Sequence, residues 1–179
     1  MDLLLILAIC FFLGSFPTAY ILVKRIFQKD IRRIGSGNPG MMNVLDNFGK
    51  RYAYFVGTVD ILKGIIAVSI AKLYSPNETV AVLAGLTAIA GHDFTPFLKF
   101  KGGNGVATGG GAVLALMPLA SGIACMTGLI TAIVVKSRRF GGNIAVILVP
   151  IMGFYMDESN IFVFGSALIM LCLLYTSPS

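Results

Sequence analysis

The sequence has no tryptophan, a single histidine, three cysteines and only 12% charged residues. Each scarcity excludes something. His92 is the one histidine, and Cys10, Cys125 and Cys172 each sit alone in an apolar run, so no pair stands at metal-ligand or redox spacing and no metal site is expected. With 56% hydrophobic residues and a mean hydropathy of +0.86, a water-soluble fold would expose large apolar patches, so lipid is the expected solvent for much of the surface. The start of the chain lacks a basic n-region and a small-residue cleavage site, and it reads as a retained span. Internal repeats and low-complexity tracts are missing. So are inverted halves with matching broken helices, which counts against a secondary transporter. A channel or transporter reading rests on the multiple spans alone.

What is present is a series of long apolar runs divided by short polar loops. Lipid-exposed backbone must satisfy its own hydrogen bonds, so runs of this length predict helices and not barrel strands. The first covers Leu3 to Val23 and is closed by Lys24 and Arg25, with a polar loop continuing to Arg51. Tyr52 to Tyr74 is a second, turned at Ser75-Pro76-Asn77-Glu78, and Thr79 to about Thr95 is a third. Val106 to Val135 exceeds one helix and carries Pro118 near its middle, which predicts two shorter helices joined near Met117 to Leu119, one of them partly re-entrant. Two more spans flank the turn Asp157-Glu158-Ser159-Asn160. The expected fold is all-α, a single polytopic membrane domain over residues 1–179 with about seven transmembrane helices.

Charge sets the expected orientation. Lys24, Arg25, Lys29, Arg32, Arg33, Lys50 and Arg51 fall in one loop, Lys99 and Lys101 in the next on the same side, and Lys136, Arg138 and Arg139 in the third. Asp2, Glu78, Asp157 and Glu158 lie on the other side. Positive loops stay inside, so the N-terminus is expected outside and the C-terminus inside. The net charge of +6 would suit nucleic acid in a soluble chain. Here the cations lie between apolar runs, so the expected partner is the bilayer and not nucleic acid.

Two inside loops carry candidate chemistry. Gly35-Ser36-Gly37-Asn38-Pro39-Gly40-Met41-Met42-Asn43 has glycines among small polar residues, which lets backbone N–H groups approach a ligand oxygen; an ordinary turn explains the pattern equally well. Phe100-Lys101-Gly102-Gly103-Asn104-Gly105-Val106-Ala107-Thr108 runs into a helix start, where unpaired N–H groups and the helix dipole suit phosphate. It lacks the Gly-Lys-Ser/Thr ending of a P-loop. The bland alternative is close helix packing through glycine, as expected for Gly109-Gly110-Gly111. His92 lies beside Asp93 just before this loop, and Asp60 and Lys63, spaced i, i+3 within a span, are expected to neutralise each other.

These segments resemble a known family. Gly14-Ser15-Phe16-Pro17-Thr18-Ala19-Tyr20, Asp30-Ile31-Arg32 leading to Gly35-Ser36-Gly37-Asn38 and Asn43-Val44, then Asp60 with Lys63-Gly64, and Gly91-His92 through Thr108 are similar to successive signatures of the bacterial acyl-phosphate:glycerol-3-phosphate acyltransferases, PlsY. The likeness covers roughly residues 10 to 112. It implies a multi-pass enzyme of the bacterial plasma membrane with its active loops facing the cytoplasm. The reaction implied moves a fatty acyl group from acyl phosphate to glycerol 3-phosphate to give lysophosphatidic acid, without cofactor, metal, acyl carrier protein or coenzyme A. Ser36 and His92 are then expected in catalysis, His92 by orienting the loop or a substrate oxygen. Gly37, Asn38, Gly40, Asn43, Lys101, Gly102, Gly103, Asn104 and Gly105 are expected to hold substrate. Asp46, Asn104 and Gly142 stand where the family pattern has arginine, lysine and serine, and the pattern's C-terminal histidine and asparagine have no counterpart in Tyr175-Thr176-Ser177-Pro178-Ser179, as in a chain cut short. A non-catalytic relative that binds a phospholipid or membrane partner is the alternative these departures motivate.

Overall fold

Pro17 decides the shape of the first segment. Proline has no N–H to donate and pushes the preceding residue out of helical geometry, so the run from Leu3 does not continue as one helix. It divides at Phe16 (φ −60°, ψ 114°) into α1, Leu3–Ser15, and α2, Thr18–Phe27. Against the expected unbroken span ending at Val23, the segment is broken and longer.

The computed structural model describes residues 2–176. The remaining helices among them are α3 (Met41–Phe48), α4 (Lys50–Tyr74), α5 (Glu78–Asp93), α6 (Val106–Leu116), α7 (Pro118–Val134), α8 (Arg138–Tyr155) and α9 (Asn160–Thr176), with 3-10 turns at Ile31–Arg33 and Pro96–Leu98 and no strand. Ser177, Pro178 and Ser179, on which part of the expectation about the tail falls, lie outside the described residues. The all-α membrane class is the one observed. Counting α1 and α2 as one bent segment and setting α3 aside, the described residues hold seven apolar segments. Leu3–Phe27, Lys50–Tyr74 and Glu78–Leu98 are long and apolar enough to cross a bilayer, and the other four are shorter apolar helices. At 1.5 Å per residue, α6 reaches only about 17 Å, roughly half of the hydrocarbon core.

The expected division of the long fourth run is also present, with Met117 (ψ 79°) between α6 and α7. A helix broken in an apolar setting leaves carbonyls that must find donors. Lys72 of α4 supplies them, donating to Ala115 O at 2.7 Å and Leu116 O at 3.3 Å, while Ser121 Oγ donates to Val113 O at 2.9 Å. Replacing Lys72 with methionine removes the donor but keeps most of the stem. The expected cost is about 1 kcal/mol, read as a fall of a few degrees in the melting temperature of the purified protein.

Small residues bring α4 and α6 together. A Cβ on Gly64 would lie 2.0 Å from Thr108 O, and one on Gly111 would lie 2.0 Å from Ile61 O, so neither position admits a side chain without separating the helices. Of the glycine run expected to pack helices, Gly111 and Gly109, the latter against Leu173, do so, whereas a Cβ on Gly110 would meet nothing within 4 Å.

The main core, with Ile6, Ala67, Ala84, Ala88, Ala112, Leu116 and Ile169, lies between the long helices. A second core has a different task. Ala19, Val23, Ile31, Val44, Ala53 and Val56 seat the first polar loop and α3 on α2 and α4, with Phe27 tilted against Phe48 and edge-to-face with Tyr52 at 4.7 and 5.1 Å between ring centroids. The loop expected between Lys24 and Arg51 is therefore a packed subassembly, because Met41, Val44, Leu45 and Phe48 give α3 an apolar face to bury. The polar loops sort by end. Asp46 of α3 and Arg138 of α8 approach to 3.6 Å at one end, and Glu78 and Ser159 hydrogen-bond at the other.

Candidate active site

The break at Phe16–Pro17 is where the site begins. Freed carbonyls at this depth need donors, and two other segments provide them. Thr95 Oγ1 donates to Ser15 O at 2.6 Å, and Lys63 Nζ donates to Phe16 O at 2.5 Å. Lys63 is buried, so its charge needs an anion; Asp60 Oδ1 lies 2.6 Å away, one helical turn back on α4. Thr18 Oγ1, from the first turn of α2, donates to the same carboxylate oxygen at 3.1 Å. The i, i+3 pairing expected from sequence is thus present, and it also fastens the broken first segment to α4.

His92 joins this cluster from α5. Its Nδ1 lies 4.0 Å from Asp60 Oδ1 and 3.4 Å from Thr108 Oγ1 on α6, and its side chain is only 10% exposed. The second glycine loop closes over it. Gly103 N donates to His92 O at 3.2 Å and Gly102 N to Asp93 O at 2.9 Å. A Cβ on Gly103 would lie 2.2 Å from His92 Nε2, and one on Gly102 would lie 1.9 Å from His92 O. Only glycines let the loop lie this close to the imidazole and to the end of α5. Gly105 (φ +65°) then turns the chain into α6, whose N-terminus has no side-chain cap.

The first glycine loop is shaped by one side chain. Asn43 Nδ2 reaches Ile31 O, Ile34 O and Asn38 O at 3.3, 2.9 and 3.0 Å, while its Oδ1 accepts from Ser36 N at 3.3 Å and from Asn47 Nδ2 at 2.9 Å. Gly35 (φ +55°) and Gly37 (φ +74°) supply the left-handed turns. Ser36 is left exposed at the tip, with its Oγ accepting from Asn38 N at 3.4 Å.

The loops meet. A small cleft is lined by Ser15, Phe16, Pro17 and Thr18 at the break, Pro39 of the first glycine loop, His92, Thr95 and Leu98, and Gly102 and Gly103 of the second loop. Of the residues singled out in the sequence, His92, Gly102 and Gly103 line it directly. Ser36, Gly37, Asn38 and Gly40 belong to the loop that contributes Pro39, and Lys101, Asn104 and Gly105 flank the glycine pair. Asn43 is buried beneath its loop, and its amide is committed to holding the loop's carbonyls. Asn38 Oδ1 and Asp93 Oδ1 are buried without a hydrogen-bond partner. Thr18, Thr95 and Thr108 fall in the segments that carry the family resemblance but were given no role there; the helix break explains the first two. A Cβ on Gly142 of α8 would meet nothing within 4 Å, and Asp46 has Arg138 beside it at the exposed surface.

Outside the membrane segments, Asp30 is held at a pKa of about 2, chiefly by the Arg32 side chain, which donates through Nε to Oδ1 at 3.0 Å and through Nη2 to Oδ2 at 2.7 Å. A carboxyl lowered on folding stabilises the fold fully above the ordinary carboxylate range. That contribution disappears as pH falls from about 4 towards 2, because the unfolded chain takes up the proton first. The melting temperature of the native chain is accordingly expected to drop over this window more than that of an Asp30→Asn variant, which lacks the titrating group.

An all-helical apolar bundle, with two glycine loops meeting at a cleft over a buried ion pair, defines a polytopic membrane protein. The chain belongs to the glycerol-3-phosphate acyltransferase family, whose model matches residues 4–178. It is 42% identical over 161 residues to the glycerol-3-phosphate acyltransferase of Prochlorococcus marinus strain MIT 9215, covering 88% of this chain and 80% of that one. It is 37% identical over 168 residues to that of Thermoanaerobacter pseudethanolicus, covering 92% and 83%. Its fold is similar to the crystal structure of PlsY, an integral membrane glycerol 3-phosphate acyltransferase, in the glycerol 3-phosphate form. The TM-score is 0.88 at 29% identity, over 97% of this chain and 86% of that one. The lysophosphatidic acid form of PlsY gives 0.87 at 28% identity.

Proposed function

We propose that this chain, acting as one domain, transfers a fatty acyl group from acyl phosphate to glycerol 3-phosphate, forming lysophosphatidic acid and inorganic phosphate for phospholipid synthesis. It does so at the bacterial plasma membrane, with the glycine loops on the cytoplasmic side. The meeting of both glycine loops at one cleft, where the first membrane segment is broken, carries this reading. Both substrates have anionic phosphate heads and the donor has an apolar tail, so the cleft must offer fixed N–H donors beside lipid. Twelve of the fourteen basic residues lie in the loops assigned to that side.

In the reaction a glycerol hydroxyl oxygen attacks the acyl carbon, the new ester C–O bond forms, and the bond from the acyl carbon to the phosphate oxygen breaks. The departing phosphate takes the hydroxyl proton, so no protein base is needed. The oxyanion that develops at the carbonyl is stabilised by a fixed donor, a role we assign to Ser36 Oγ at the exposed tip of the first loop. Lys101 and the uncapped start of α6 attract phosphate. Asn38 Oδ1, a buried acceptor without a partner, suits a glycerol hydroxyl. His92 orients the second loop from below. Arg138 neutralises Asp46, so that aspartate adds no bare anion at the basic end.

Purified protein supplied with palmitoyl phosphate and glycerol 3-phosphate is expected to form lysophosphatidic acid, and palmitoyl coenzyme A in place of the acyl phosphate is expected to give none. Product from the thioester alone would refute the donor assignment.

A further inference from the structure

A second anion-attracting feature lies outside the cleft. Where α2 leaves the apolar zone, Gln28 adopts left-handed geometry (φ 56°) and turns the chain sharply, with its Nε2 donating to Arg25 O at 3.2 Å. The turn and the following 3-10 segment enclose an open surface cleft lined by Lys24, Gln28, Lys29, Asp30, Arg33 and Ile34. Its one carboxylate is already occupied, because Arg32 holds Asp30 in a two-point ion pair and itself lies over the Tyr20 ring at 5.0 Å. The ammonium groups of Lys24 and Lys29 and the guanidinium of Arg33 are exposed and make no ion pair among the described residues.

From this we infer that the cleft binds the phosphate headgroup of an anionic phospholipid of the surrounding bilayer. Position and polarity favour a lipid over a free anion. Lys24 stands in the last turn of a membrane-spanning segment, so the cleft lies at the level of the headgroups. Ile34 gives the lining an apolar wall, and Ile26 on the last turn of α2 is 52% exposed. A free phosphate would use the three cations and leave these apolar groups idle; a glycerophospholipid uses both. The cleft is also one residue from the first glycine loop, since Ile34 precedes Gly35 and its carbonyl receives Gly37 N at 3.0 Å and Asn43 Nδ2 at 2.9 Å. Lipid bound here steadies the base of that loop. This inference does not depend on the acyl-transfer reading.

The test is thermal unfolding of the full chain in neutral detergent with added phosphatidylglycerol, phosphatidylcholine or inorganic phosphate. Phosphatidylglycerol is expected to raise the melting temperature of the native protein by about 5 °C, and the other two by less than about 1 °C. The shift should shrink by more than half in a K24Q/K29Q/R33Q variant and in 0.5 M salt, and by an intermediate amount in Lys29→Gln alone, a single exposed change that leaves the fold intact. An equal shift from phosphatidylcholine, or an undiminished shift in both variants, overturns the proposal. A shift from inorganic phosphate as large as that from phosphatidylglycerol overturns the lipid assignment in favour of a free-anion site.

Discussion

Asp60→Ala is expected to destabilise the protein by roughly 3–5 kcal/mol, a fall in melting temperature on the order of 10 °C, because it leaves the Lys63 ammonium buried without its anion. The pair is 2–4% exposed at its side chains. Its loss also frees Thr18 Oγ1, so the start of α2 is loosened together with the charge. The double variant Asp60→Leu/Lys63→Met separates two consequences. Removing both charges restores most of the stability, since a buried pair replaced by apolar groups of similar volume is often neutral or better. It does not restore the Lys63 contact to Phe16 O, so the wall of the cleft keeps its Thr95–Ser15 bond but loses its tie to α4, and turnover is expected to stay low. Thermal unfolding and acyl transfer measured on the same preparations show both effects. A double variant as active as the native chain would mean that the ion pair serves packing alone.

Gly102→Ala is expected to lower turnover about 100-fold, through a displacement of the second glycine loop by about an ångström, with little change in melting temperature. The added Cβ would lie 1.9 Å from His92 O and 2.7 Å from Asp93 O, and backbone on both sides cannot yield as a flexible side chain would. The loop must lift from the end of α5, and Lys101 and the start of α6 move with it. Gly110→Ala, one turn into α6, is the matched control because its Cβ would meet nothing within 4 Å. It should keep full activity. Equal losses in both variants would point to a general effect on α6 and not to the loop.

How much of this was legible in the sequence differs by feature. Membrane class, the number of apolar segments and the break at Pro118 follow from run length and proline chemistry, which act locally. The break at Pro17 was legible on the same grounds but was hidden by the continuous apolarity of Leu3 to Val23; hydropathy does not register where a backbone bends. The pairing of Asp60 with Lys63 could be read from i, i+3 spacing, yet their attachment to Phe16 and Thr18 is a contact across more than 40 residues that no local pattern encodes. The glycine loops were visible as composition. That they share a cleft was not, because it depends on how α1, α2 and α5 pack. Asn43 shows the opposite error of resolution: it was read as part of the first loop but stands in the first turn of α3 beneath it, and its neighbours in sequence do not reveal that its amide is used in holding the loop's carbonyls.

The central claim is that the two glycine loops act together as one acyl-transfer site. It is tested most directly by measuring kcat/KM for glycerol 3-phosphate in Ser36→Ala, from the first loop, and Lys101→Gln, from the second, with acyl phosphate as donor. Both residues are exposed, so both variants should unfold at the native temperature. Each is expected to lose at least about tenfold in kcat/KM, since each removes a donor or cation acting on the reacting phosphates or oxyanion. A native kcat/KM in either variant would contradict the claim, because the loop it came from would then take no part in the reaction.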